Sequence, residues 1–143
     1  MIKIQRLLML GAVALLGSAC SPQTQDANSA APGAPPAAAS SDVGARLYSQ
    51  NCVPCHREDG TGLPTVYPPL AGSAVVRGDP VQLAQWVLSG KRPPSMPAGR
   101  YSTQMLLFGW LKDPDAAALL TYVRSNFGNS ASAVDAATIA KAR

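Results

Sequence analysis

The segment Cys52-Val53-Pro54-Cys55-His56 places two thiols and an imidazole close together, and it constrains the chain more than any other feature. A zinc site would need four ligands, and the only further cysteine or histidine is Cys20, so zinc is close to excluded. A disulfide between Cys52 and Cys55 is one alternative interpretation in an oxidising compartment, and a thioredoxin-like redox motif is another. The redox motif belongs between a strand and a helix, however, whereas residues 42–51 have a helical pattern.

The same segment resembles the haem-attachment motif of c-type cytochromes. In that family both cysteines form thioethers with the vinyl groups of one haem, so the resemblance assigns covalent attachment to Cys52 and Cys55. Their separation matches one helical turn, which suits two bonds to neighbouring edges of one macrocycle. The resemblance also assigns His56 to the iron, which a neutral imidazole nitrogen binds. It therefore implies one covalently bound haem c.

Residues 1–19 have the pattern of an export signal, with two basic residues, an apolar run and a small-residue end. The apolar run Leu7–Leu16 is too short to span a bilayer as a helix. Cys20 follows and resembles the acylated cysteine of bacterial lipoproteins, and Ser21 after it resembles the pattern of outer-membrane members. We therefore expect a lipid anchor at Cys20, with ordinary signal cleavage just before it as the alternative.

The next segment, residues 20–41, has no aromatic residue and no Leu, Ile or Val. Such a segment buries too little apolar surface to offset the entropy of ordering it. We therefore expect a flexible tether rich in Pro, Ala and Ser, which holds the following domain off a membrane surface.

The charge of the chain argues against a nucleic-acid partner. The sequence has 12 basic and 8 acidic residues, and two of the bases lie in the predicted signal. Binding to nucleic acid needs a concentrated basic face, and the small remaining excess does not supply one.

Residues 42–128 are expected to form one haem domain, and residues 129–143 a C-terminal tail. Asp42 is a suitable N-cap for a first helix. Residues 80–89 are predicted to form a middle helix that ends at Gly90. Since no long strand pattern is present, the sequence predicts an all-α fold.

The first and last predicted helices each have an apolar face. In the first, Gly44 and Tyr48 are spaced by one turn. The last helix is predicted over residues 115–127, with a stripe formed by Leu119, Leu120, Tyr122, Val123 and Phe127. These helices resemble those of class I cytochromes c, in which a small residue allows the first helix to approach the last. The resemblance implies three to five helices wrapped around one haem.

The segment Tyr67-Pro68-Pro69-Leu70-Ala71-Gly72 resembles the Pro-x-Leu-x-Gly segment of the same family. The resemblance implies that the Pro68 carbonyl accepts a hydrogen bond from the ring N–H of His56. Such a bond fixes the tautomer of the imidazole and strengthens it as a ligand.

Cytochromes of this class bind a methionine sulfur at the sixth position of the iron. Two of the 4 methionines lie in the predicted signal, which leaves Met96 and Met105. Met96 precedes a proline, as this ligand often does. Met105 lies about ten residues before the last predicted helix, whereas Met96 leaves a loop almost twice as long. We therefore predict Met105 as the ligand, with Met96 as the alternative and core packing as the other role for either.

From Tyr48 to Arg143 the chain resembles the C-terminal haem domain of the cytochrome c subunits of periplasmic alcohol and aldehyde dehydrogenases. The resemblance rests on the haem motif, YPPLAG, VLSGKRPP, MLLFGW and LTYVRSNFGN. Those subunits often carry three haem motifs, and this chain carries one. The resemblance implies a periplasmic one-electron carrier without substrate turnover. Its donor would be a periplasmic dehydrogenase, of which it could be a subunit, and its acceptor an oxidase or a quinone-linked partner of the respiratory chain.

Two other functions stay open at this point. A haem-based sensor or a peroxidase-like enzyme needs a labile sixth ligand, which the protein would have if neither methionine binds. A lipoprotein thiol oxidoreductase would use Cys52 and Cys55 without haem.

Overall fold

The computed structural model describes residues 37–143, which contain six helices and no β-strand. The helices are α1 (Ala37–Asn51), α2 (Val53–His56), α3 (Ala74–Arg77), α4 (Pro80–Ser89), α5 (Asp113–Ser125) and α6 (Ala136–Ala142). The predicted all-α class is confirmed. There is one helix more than the expected three to five, since α2 and α3 are single turns of four residues.

Several predictions for the N-terminal region fall outside the described residues. These are the export signal at residues 1–19, the lipid anchor at Cys20 and the tether up to residue 36. Among the residues that are described, no helix is long and apolar enough to cross a membrane.

The start of α1 differs from the prediction. The helix begins at Ala37, so Asp42 lies inside it and is not its N-cap. The prediction was wrong because residues 37–39 are all alanine, which has the highest helix propensity of any residue. Residues 37–41, which were expected to be the end of the tether, are therefore helical.

The later helices follow local signals. α4 has both predicted ends: the Asp79 side chain caps its start, and Gly90, with φ 76°, ends it in the left-handed region. α5 is shifted by two residues towards the N-terminus relative to the prediction. Pro114 suits the first turn of a helix, because its fixed φ is helical and its missing N–H is not needed there. Phe127 has a φ of 59° and cannot continue α5.

The contact between α1 and α5 depends on a glycine. A Cβ atom on Gly44 would overlap the Ala118 carbonyl oxygen and would lie 2.8 Å from the Cβ of Tyr122. One turn later, the buried Tyr48 ring packs on Tyr122 and Phe127, at centroid distances of 5.5 and 4.9 Å. The expected close approach of the first and last helices through a small residue is confirmed.

Residues 129–143, predicted to be a tail, are packed against the rest of the domain. α6 contacts both α4 and α5. Val134, Ile139 and Ala142 are buried and belong to the same hydrophobic core as the other helices. The core therefore extends beyond the predicted end of the domain at residue 128.

Arg124 on α5 is a buried cation, only 2% exposed. Its guanidinium donates hydrogen bonds to the carbonyl oxygens of Val76, Gly78 and Ser132 and to the Ser132 hydroxyl. Burial lowers the pKa of Arg124, and the nearby charge of Asp79 acts in the opposite direction. The carbonyl groups offset the cost of desolvating the cation. Arg124 thereby joins α5 to the end of α3 and to the segment before α6.

Replacing Gly44 with alanine is expected to destabilise the protein. Alanine in a helix normally adds about 0.5–1 kcal/mol relative to glycine. Here the overlap with the Ala118 carbonyl reverses the sign, and we expect a loss of about 1–3 kcal/mol in the free energy of unfolding, measured in urea. Ser49→Ala, at an exposed position of α1, is the control and should change stability little. A Gly44→Ala protein as stable as the native one would contradict the close packing of α1 on α5.

Candidate haem-binding site

Cys52 immediately precedes α2, and Cys55 and His56 lie in that helix. The N–H groups of Cys55 and His56 donate to the Cys52 carbonyl at 3.1 and 2.8 Å, so the three residues share one turn. Both cysteines are free thiols; Cys52 is buried and Cys55 half-buried. Burial, with a smaller effect of Cys55, raises the pKa of the Cys52 thiol to about 11. Two unpaired sulfur atoms and an imidazole are thus placed on one turn.

The His56 ring is buried, 6% exposed, and has a fixed orientation. Its Nδ1 lies 3.0 Å from the Pro68 carbonyl oxygen. Because a carbonyl only accepts, Nδ1 carries the proton and Nε2 is left with a lone pair for a metal. Burial lowers the pKa of His56, and the hydrogen bond to Pro68 partly opposes this. The ring is therefore neutral at neutral pH, which is the form that binds iron.

The Tyr48 side chain fixes the C-terminal end of α2, the helix that contains Cys55 and His56. Its hydroxyl donates to the Arg57 carbonyl at 2.6 Å, and burial strongly raises the pKa of that hydroxyl. Arg57 has a φ of 62°, so the chain turns sharply after His56. The sequence pattern predicts Tyr48 only on a packing face and does not predict this bond. The available signal was that a buried tyrosine hydroxyl needs a hydrogen-bond partner.

Of the two candidate methionines, Met105 is the one packed against the hydrophobic core. Its segment is anchored on α4, because the Phe108 N–H donates to the Val87 carbonyl at 3.0 Å. Met96 is half-buried in a separate turn, in which its N–H donates to the Pro93 carbonyl at 3.0 Å. The structure thus brings Met105, and not Met96, onto the body of the domain.

Large apolar side chains near Met105 face the solvent. Leu106 is 72% exposed and Trp110 67%, and Leu107 is exposed as well. A cavity of about 360 Å³ lies between the segment that follows α2 and the loop that precedes Met105. It is lined by Thr61, Pro64, Thr65, Tyr67, Pro69, Arg100 and Tyr101. The cavity adjoins the haem motif, because Gly62, next to the lining residue Thr61, donates its N–H to the His56 carbonyl at 3.1 Å. Interaction with the Cys55 side chain raises the pKa of Tyr67.

These residues fit a haem c. The group needs two unpaired thiols one turn apart, a neutral imidazole with one free nitrogen and apolar surface against the macrocycle. Cys52, Cys55 and His56 meet the first two requirements, and Leu106, Leu107 and Trp110 offer exposed apolar surface on the Met105 segment.

The family model described as cytochrome c matches residues 41–127. This chain belongs to the cytochrome c family. Membership implies a covalently bound haem c and an electron-transfer protein rather than an enzyme. This cytochrome therefore has the cofactor that its haem motif predicts.

Two kinds of relative are similar to this cytochrome. The cytochrome c subunit of the quinone-dependent alcohol dehydrogenase of Gluconobacter oxydans is 37% identical over 71% of this chain and 22% of the relative. The gluconate 2-dehydrogenase cytochrome c subunit of Pantoea cypripedii is 34% identical over 65% of this chain and 22% of the relative. Cytochrome c-552 of Thermus thermophilus is 33% identical over 61% of this chain and 70% of the relative. The chain thus spans about a fifth of each dehydrogenase subunit and most of the small cytochrome.

Replacing Tyr48 with phenylalanine is expected to weaken the support of the haem-motif helix. The ring keeps its packing, but the Arg57 carbonyl loses the shorter of its two hydrogen bonds and keeps only the one from the Gly60 N–H at 3.3 Å. We expect this to cost about 0.5–1.5 kcal/mol of unfolding free energy. Denaturant unfolding of the haem-loaded protein measures the loss. Tyr122→Phe is a matched control from the same ring cluster, because the Tyr122 hydroxyl makes no hydrogen bond within the part of the chain described. Equal stabilities of the two variants would show that the Tyr48 hydroxyl contributes nothing.

Proposed function

We propose that this cytochrome carries single electrons from a periplasmic dehydrogenase to the respiratory chain, alone or as a subunit of that dehydrogenase. One observation carries the electron-transfer part: a turn that holds two free thiols and an imidazole whose Nδ1 is already bonded to Pro68. The dehydrogenase donor is supported by the names of the relatives, two of which are cytochrome c subunits of alcohol and gluconate dehydrogenases. An oxidase or a quinone-linked protein would be the acceptor.

Within this proposal, Cys52 and Cys55 hold the cofactor through thioethers, and His56 binds the iron through Nε2. When bound, haem c supplies an iron that cycles between the ferrous and ferric states. Pro68 keeps the His56 ring in one tautomer and one orientation, so that the ligand is the same in both states. An unchanged ligand set keeps the structural reorganisation on electron transfer small.

We further propose that Met105 is the sixth ligand, with Met96 as the alternative. The start of α5 at Asp113 leaves a short connection after Met105 and a much longer one after Met96. Met105 also packs against the core, and the anchoring of Phe108 on α4 restrains its segment. A methionine in this position closes the iron to substrates, which favours electron transfer over a sensor or a peroxidase-like enzyme.

The proposed location is the periplasm, at a membrane surface. The supporting features are the export-signal pattern at residues 1–19 and the lipoprotein-like Cys20. The outer membrane is the favoured membrane for this anchor. A lipid anchor followed by a Pro/Ala-rich tether would keep the haem domain near membrane-bound partners while leaving it free to dock. Docking should be transient, since electron-transfer interfaces are usually small.

Replacement of the sixth ligand tests the coordination. Met105→Ala should abolish the charge-transfer absorption band between the methionine sulfur and ferric iron, and the reduced protein should then bind carbon monoxide. Met96→Ala is the matched control and should keep the band and resist carbon monoxide. Loss of the band only in Met96→Ala would transfer the role to Met96.

Electron transfer itself is tested with the haem-loaded native protein. Mixing the ferric protein with the co-expressed dehydrogenase and its substrate should convert it to the ferrous spectrum, one electron per haem. The double variant with both Cys52→Ala and Cys55→Ala should lose covalent haem, seen as haem that organic solvent extracts from the denatured protein. A protein without covalent haem would refute the cytochrome assignment, whereas a red protein that the dehydrogenase fails to reduce would refute only the donor.

A further inference from the structure

Asn129 is a buried side-chain amide, 5% exposed, that bonds to the backbone on two sides. Its Nδ2 donates to the carbonyl oxygens of Leu70 at 3.0 Å and Val123 at 3.1 Å. Its Oδ1 accepts from the Gly72 N–H at 3.0 Å. The amide therefore joins the end of α5 to the loop formed by residues 68–72.

That loop carries the carbonyl that orients the proposed iron ligand. The Pro68 oxygen lies 3.0 Å from Nδ1 of His56, and Leu70 follows two residues later. On its other side the loop is fixed by the Leu70 N–H, which donates to the Gly60 carbonyl at 2.8 Å. The loop is thus held between Gly60 and Asn129, and the position of the Pro68 carbonyl depends on both.

A turn with strained backbone, formed by Phe127 and Gly128, positions Asn129 against the loop. Phe127 and Gly128 have φ values of 59° and 74°, and the left-handed conformation is unfavourable for a residue with a Cβ atom. The Phe127 ring packs directly on Gly60, where an added Cβ atom would lie 2.6 Å from the ring. The turn therefore places the Asn129 amide on the loop and the Phe127 ring on Gly60, whose carbonyl accepts from the Leu70 N–H of the loop. Such strain persists only where the surrounding contacts impose it.

We propose that Asn129 is a positioning residue for His56, which acts through the Pro68 loop and lowers the reduction potential of the haem. This inference rests on the proposed function, in which His56 binds the iron. A carbonyl held firmly against the ring N–H makes the imidazole a more basic ligand, and a more basic ligand favours ferric over ferrous iron. Release of the loop weakens that bond and favours the ferrous state.

The test is Asn129→Ala in the haem-loaded protein. We expect about a tenfold shift of the reduction equilibrium towards the ferrous form, which for one electron is a rise of about 59 mV, measured by redox titration. We also expect faster solvent exchange of the His56 Nδ1 proton in the ferrous protein, measured by NMR. If Asn129→Ala yields no haem-loaded protein, Asn129→Ser is measured in the same way, because its short hydroxyl cannot replace all three bonds.

Asn126→Ala is the matched control. Asn126 lies three residues earlier, and within the part of the chain that the structure describes its side-chain amide bonds only to Tyr122 and Ser125 at the end of α5. This variant should lose stability while keeping the native potential and proton exchange. Unchanged potential and exchange in the Asn129 variant, with a stability loss like that of Asn126→Ala, would reduce Asn129 to a merely structural role and overturn the proposal. The proposed function fails separately, if the native protein binds no haem c or His56→Ala leaves its spectrum unchanged.

Discussion

The hydrogen bond between the His56 ring and the Pro68 carbonyl fixes the direction in which Nε2 points, and the remaining structure is arranged to keep it. The Tyr48 hydroxyl, from α1, holds the carbonyl that follows His56. Asn129, beyond the end of α5, holds the loop that contains Pro68. Since α1 and α5 also pack closely at Gly44, a shift of either helix would change the position of the imidazole. The two helices therefore jointly fix the orientation of the His56 side chain.

Local signals account for what could be predicted from the sequence. The predicted bounds of α4 agree with the structure because the residues that set its ends, Asp79 and Gly90, directly adjoin it. The haem motif is equally local. The start of α1 differs from the prediction because the alanines before Asp42 share the composition of the preceding Pro/Ala/Ser-rich segment and yet have a high helix propensity. The role of Asn129 and the packing of α6 could not be predicted, because their partners lie far away in the sequence and only the folded chain identifies them.

The C-terminal segment shows how far the haem unit extends. The family model matches residues 41–127, yet Asn129 and the buried side chains of α6 lie beyond that match. Arg124 connects the two parts, with hydrogen bonds to Ser132 on one side and to the end of α3 on the other. A family match thus records the sequence pattern that relatives share, while the packing defines the unit that has to fold together.

The distances along the chain between bonded groups differ widely within the site. Asn129 bonds to Leu70 and Gly72 across 59 and 57 residues, whereas the His56 N–H bonds to the Cys52 carbonyl within a single turn. Contacts between distant residues pay a larger loop-closure entropy than local ones. Local opening of the C-terminal part would therefore release the loop with the Pro68 carbonyl while the turn with both cysteines keeps its own hydrogen bonds. The residues that hold the cofactor and the contacts that orient its histidine thus belong to separate parts of the chain.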